Sequence, residues 1–196
     1  MKPISLSSVS LVLANLFPIY GIFHLGWDLK TIFLVYLIEN LIIAFFTVLK
    51  IIFLKLPNFK DIPVFFTIYE RIYNIVGFVF VCLFFNGIYY GFLNSLLLKD
   101  SISIQDSVKL AIPLFISHLI SFFSNYFVKL EYTKLKAENL IEGYMPRILT
   151  MHLTIIFGSF IMHTIGEGDN LYLLYVLVLL KIISDLRAHN KEHSII

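Results

Sequence analysis

The sequence predicts an all-α fold, a polytopic bundle of about six membrane-spanning helices, and three observations carry that prediction. Of 196 residues, 59% are hydrophobic and 14% charged, where soluble domains run at about 45–50% apolar and about 25% charged. Mean hydropathy is +0.87. Apolar stretches at 6–25, 29–54, 72–98, 108–130, 146–166 and 170–187 approach or exceed the roughly 20 residues a helix needs to cross a bilayer. Helices are the economical choice, because an open strand in lipid leaves N–H and C=O groups without partners. A barrel would need short alternating strands, and these runs are continuous. One integral membrane domain over 1–196 accounts for the whole chain, with the lipid bilayer as its partner.

The first stretch follows Lys2 and imitates a signal peptide. It holds Asn15 and Pro18 and lacks an Ala-x-Ala cleavage site, so a retained helix is expected. The second carries Tyr36, Glu39, Asn40, Thr47 and Lys50 within a sector of roughly 100°. Glu39 falls mid-run, where a free carboxylate is costly, so it must be protonated, paired or beside water. A plain hydrogen bond between helices would also satisfy it. Ile62–Tyr69, ahead of the third stretch, is too short to span and is expected in the interface or folded back on the bundle. The third stretch holds Asn74, Asn86 and Asn94, with Gly87 and Gly91 spaced for a close helix contact.

In the fourth stretch, His118, Ser121 and Asn125 form one stripe, expected to face the bundle. Ordinary interhelical hydrogen bonding explains such residues as well as a site does. The connection Glu131 to Met145 is rich in helix formers and reads as a short surface helix. Pro146 then stands at the first turn of the fifth span, a favoured position for proline. Arg147 follows, and His152 and His163 share a face. They lie about 16 Å apart along the axis, too far to ligate one metal together. The sixth stretch places Lys181, Asp185 and His189 at i, i+4 and i+8, on one face. Charges at such depth need partners; for Lys181 the sequence offers Asp185 or Glu39. Asp185 and His189 with His152 also form a weak candidate metal set.

Orientation follows from the basic residues. Eleven Lys and Arg fall at the termini and in loops 2–3 and 4–5, against three in the opposite loops. The positive-inside bias puts both termini in the cytoplasm, in a protein integral to the cell membrane. Net charge is +2, and no basic cluster is dense enough for nucleic acid. The lone Cys82 excludes an internal disulfide and a thiolate cluster. No His-Glu-x-x-His, Gly-x-Ser-x-Gly or phosphate loop occurs.

Several pieces together resemble domain-of-unknown-function family 6498. They are Gly26-Trp27-Asp28, Tyr36-x-x-Glu39-Asn40, Ser117-His118-x-x-Ser121-Phe122-x-x-Asn125-Tyr126, Glu131-Tyr132, Arg147 with His152, and Leu180-Lys181-x-x-x-Asp185-Leu186-x-x-His189. The resemblance implies a helical integral membrane protein and groups Glu39, His118, Asn125, Arg147, His152, Lys181, Asp185 and His189 as characteristic positions. It implies no activity and no cofactor. The chain departs from the family pattern at Gly143-Tyr144-Met145-Pro146, where Pro-Tyr-Gly is expected. It departs again at Thr67-Ile68-Tyr69-Glu70, where a His-Tyr-Gly-like element is expected, which weakens a metal role.

Two functions remain open. One is a non-catalytic protein whose pocket, drawn from Glu39, Asn40, His118, Asn125, Glu131, Arg147, His152, Lys181, Asp185 and His189, opens to the cytoplasm and binds a small polar or ionic ligand, or serves packing alone. The other is a membrane enzyme, metal-dependent or not, using Asp185, His189 and His152 on a lipid or membrane-embedded substrate. Secondary transport is disfavoured by the lack of repeated halves.

Overall fold

The computed structural model describes residues 20–21, 23–24, 26–27, 29–55, 64–96, 104–165 and 178–183. Among these residues the regular structure is all helical. The elements are α1 (Leu29–Ile52), α2 (Val64–Leu96), α3 (Ile104–Ser121) and α4 (Ala137–Ile165). A π-helix over Phe122–Val128 continues α3, a 3-10 turn covers Glu131–Thr133, and residues 178–183 are helical.

α1 is the central helix. Ile32, Phe33, Leu34, Val35, Tyr36 and Leu37 are all buried in succession, as a helix apolar all round requires. α2 packs against it antiparallel, with Asn86 opposite Asn40 and Arg71 opposite Ile52. α3 and its π continuation run parallel to α1, pairing Phe45 with Phe115 and Phe53 with Phe127. α4 is antiparallel to α1, with Leu140 beside Ile51 and Leu54, and Met151 level with Tyr36. The four helices therefore alternate in direction along the chain, as successive crossings of a bilayer do. Three windows, Thr31–Ile52, Val64–Gly91 and Ala111–Val128, are long and apolar enough to cross a membrane. The outer face of α2 suits lipid, since Phe65, Tyr69, Tyr73, Val76, Phe80 and Leu83 are exposed.

The alternation gathers one set of helix ends, the C-ends of α1 and the π-helix and the N-ends of α2 and α4. Lys50, Lys55, Arg71, Lys129, Lys134 and Lys136 all belong to that end. Arg71 joins two helices there. Its guanidinium donates to the main-chain oxygens of Ile52 and Leu54, each at 3.0 Å, satisfying carbonyls that the end of α1 leaves open. The Lys55 N–H donates to the Tyr132 oxygen at 3.0 Å, and the Tyr126 hydroxyl donates to the Lys50 oxygen.

Four expectations change. Ile62–Tyr69 is not a separate interfacial element, because α2 is already helical from Val64. No Gly or Pro interrupts Val64–Glu70, and at 33 residues the helix is about 50 Å long and outruns the hydrocarbon core. The surface helix and the fifth span are one element beginning at Ala137, so Pro146 is interior rather than at a first turn. Among the described residues no helix packs closely on Gly87 or Gly91, since a Cβ at either would meet nothing within 4 Å. The stripe His118, Ser121 and Asn125 divides: His118 faces Phe46 of α1, whereas Ser121 is exposed and bonds with Asn125 along their own helix. Asn125 donates to the Ser121 hydroxyl at 3.1 Å and accepts from Lys129 Nζ at 2.7 Å. Most of 6–25 and of 170–187 lies outside the described residues.

Two glycines shape the entry to α1. The helical turn at 20–24 ends in Gly26, whose φ of +66° is left-handed and strains any other residue type. The Trp27 N–H returns to the Gly21 oxygen at 3.1 Å, laying the indole against Gly21 where a Cβ would collide with it.

Candidate functional site

Two buried polar groupings adjoin on α1. The first is an uncharged network. Asn40 Nδ2 donates to Asn86 Oδ1 at 3.2 Å, and Asn86 Nδ2 donates to the Cys82 oxygen at 2.7 Å. The Tyr144 hydroxyl lies 2.8 Å from Asn40 Oδ1 and 3.0 Å from the Asn40 main-chain oxygen, as donor. Three helices are thereby tied at one level, with the Tyr144 ring edge-on to Phe78 at 5.0 Å. In apolar surroundings such groups specify register, because a slipped helix would leave them unpaired.

The second grouping is charged. Lys181 Nζ sits 2.8 Å from Glu39 Oε2, with the side chains only 7% and 13% exposed. At that burial either charge alone would be costly, and the pair supplies each with its counterion. The ammonium also lies 5.0 Å from the centre of the Tyr36 ring, within range of a cation–π attraction. Arg147, Thr150 and Met151 of α4 close the other side. Together with Tyr36, Glu39, Asn40, Ile43 and Lys181 they line a small recess with room for about one water-sized group.

Four of the sequence-selected residues thus converge: Glu39, Asn40, Arg147 and Lys181. His118 sets its ring against Phe46 of α1 at 6.3 Å. His152 is turned to α2, where Nδ1 meets the Tyr89 hydroxyl at 3.0 Å and the ring packs edge-on to Phe85. Asn125 and Glu131 stand apart, toward the basic end. Glu131 is buried at the 3-10 turn, behind Leu130 with its left-handed φ of 59°. Asp185 and His189 lie outside the described residues, which leaves the metal set His152, Asp185 and His189 without a geometry. Among the described residues no three His, Cys, Asp or Glu side chains assemble into a metal-binding group.

Sequence reasoning missed Tyr89 and Tyr144. Tyrosines are common at membrane interfaces, so their types carried no signal. Tyr144 moreover preceded Pro146, and a helix was expected to start there.

The model of the family of unknown function DUF6498 matches residues 1–195. The chain belongs to this family. Of the positions the family resemblance grouped, Glu39, Arg147 and Lys181 are the ones this DUF6498 member places around one recess. Comparison with curated proteins gave no match, and comparison with solved structures gave none.

Proposed function

We propose that this chain is a multi-pass protein integral to the cytoplasmic membrane, one domain of about six spans with both termini in the cytoplasm. In this reading it binds a small polar or ionic ligand at the recess beside Glu39 and Lys181, without catalysing a reaction. The observation that carries it is the buried Lys181–Glu39 pair at 2.8 Å. A charge pair replaced by well-packed apolar residues is often neutral or stabilising, so its retention next to a recess favours a ligand over packing. The alternating helices with their shared basic end support the topology, because lysine and arginine favour the cytoplasmic side.

The test of topology fuses reporters to the C-terminus: a fluorescent protein that matures in the cytoplasm and alkaline phosphatase that is active outside it. Activity of the phosphatase fusion sinks the orientation. For the ligand, thermal unfolding of maltoside-purified protein is followed with sodium, potassium, ammonium, chloride, phosphate and glycine in turn. A stabilising additive whose effect is lost in Glu39→Gln/Lys181→Met supports binding there; a flat response to all of them leaves packing as the role. Metal analysis of the wild type against Asp185→Ala/His189→Ala addresses the enzyme alternative. Stoichiometric metal lost in that variant overturns the non-catalytic reading in favour of a metal-dependent one.

A further inference from the structure

Among the described residues the lining of the recess carries two positive charges and one negative, and this indicates what kind of ligand it takes. Glu39 and Lys181 neutralise each other at 2.8 Å. Arg147 is then the surplus charge on the lining. Asn40 and Thr150 have their donors committed, Asn40 Nδ2 to Asn86 and Thr150 Oγ1 to the Pro146 oxygen at 2.8 Å. Among the described residues no hydrogen bond or ion pair engages Arg147, although it is partly buried. A guanidinium has five N–H donors in a planar fork and stays charged at any physiological pH. A partly buried guanidinium is a ready partner for negative charge, and the geometry of its fork matches two oxygens of one carboxylate or phosphate.

We infer that Arg147 is the anchor of a small-oxyanion site, with the carboxylate or phosphate group of the ligand seated in the recess between α1, α4 and residues 178–183. This rests on the ligand-binding reading above and names its chemistry. The recess admits about one water-sized group, so a single oxygen enters and the other oxygens, with the rest of the ligand, lie at the mouth. Depth bears on the source. Ile43, which shares the lining with Arg147, is nine residues from the end of α1, about 14 Å along the axis. A free anion entering from the basic end and a lipid headgroup drawn inward share the chemistry and differ in how they arrive.

The test uses the full chain in maltoside micelles, with inorganic phosphate and acetate as free oxyanions, phosphatidylglycerol as the lipid, and sodium and ammonium as cation probes. Thermal stability and equilibrium binding are read for wild type, Arg147→Gln and Arg147→Lys. Expected is saturable binding of phosphate, acetate or phosphatidylglycerol, weakened roughly tenfold or more in Arg147→Gln. Arg147→Lys keeps the charge and loses the fork, so it falls between. Saturation by phosphate or acetate assigns a free ligand; saturation by phosphatidylglycerol alone assigns a headgroup. Circular dichroism confirms that each variant is folded, and Glu39→Gln serves as a second variant that should tighten oxyanion binding by removing a negative charge from the lining. Anion binding indifferent to both Arg147 variants overturns the inference. Binding of sodium or ammonium at the recess, with no oxyanion bound, also overturns it while leaving the broader ligand reading standing. No binding of any probe removes both.

Discussion

Lys181 Nζ lies 2.8 Å from Glu39 Oε2, joining two residues that are 142 positions apart in the chain. The pair is nearly sealed from solvent, so removing one partner takes from the other the counterion at 2.8 Å. Either Glu39→Leu or Lys181→Met alone should lower unfolding stability by roughly 3–5 kcal/mol. The double variant Glu39→Leu/Lys181→Met should recover much of that loss, because no uncompensated charge remains. A double-mutant cycle of unfolding in mixed micelles reads the coupling; additive losses would mean that the two charges do not depend on each other.

Arg71 holds the end of α1 by two main-chain oxygens, those of Ile52 and Leu54. Arg71→Ala should cost about 1–3 kcal/mol and raise amide exchange across Phe53–Lys55, where the chain leaves the helix. Arg71→Lys should restore only part, since an ammonium has no fork to span two carbonyls. Equal stability of the Arg and Ala forms would show the guanidinium contacts to be without consequence.

Gly21 lies under the Trp27 indole, and a Cβ there would run into the ring. Gly21→Ala should therefore displace the indole and destabilise the turn before α1 by about 1–3 kcal/mol. Tryptophan fluorescence reports this directly, because Trp27 is the single tryptophan. An unchanged emission maximum and melting temperature would contradict the packing.

Tyr144→Phe removes one oxygen and leaves the ring in place against Phe78. Asn40 Oδ1 would lose its donor, a loss of about 1–3 kcal/mol for a buried acceptor left unmet. Tyr90→Phe, on the exposed side of α2, is the matched control and should be within about 0.5 kcal/mol of wild type. If both substitutions behave alike, the buried network contributes nothing.

Much of the fold was legible because membrane burial writes itself into composition. α1 runs from Leu29 to Ile52 where the apolar stretch 29–54 was expected, since nothing in that run breaks a helix. The boundaries around 64 and 137 were not legible. At Glu70 and Arg71 the charges looked like the edge of a span, yet a helix continues past a bilayer surface without penalty. At Pro146 the residue favoured at helix starts was found inside a helix, where its missing N–H is tolerated. The polar residues divided similarly. Glu39 and Lys181 stood out through the cost of charge at depth, and they meet. Ser121 and Asn125 stood out equally by spacing, but they bond along their own exposed face.

By itself, then, the sequence determined that the chain is apolar enough for a bilayer, that the described stretches are helical, and which charges must find partners. Those depend on local composition and on the desolvation cost of single groups. Only the tertiary structure decided which partners meet among the described residues: Glu39 with Lys181, Tyr144 with Asn40, Tyr89 with His152. Helical periodicity assigns a face to each residue but says nothing of which helix comes to lie against it. That choice is made by the packing of whole helices around α1, and it brought Arg147 to the same recess as Glu39 and Lys181.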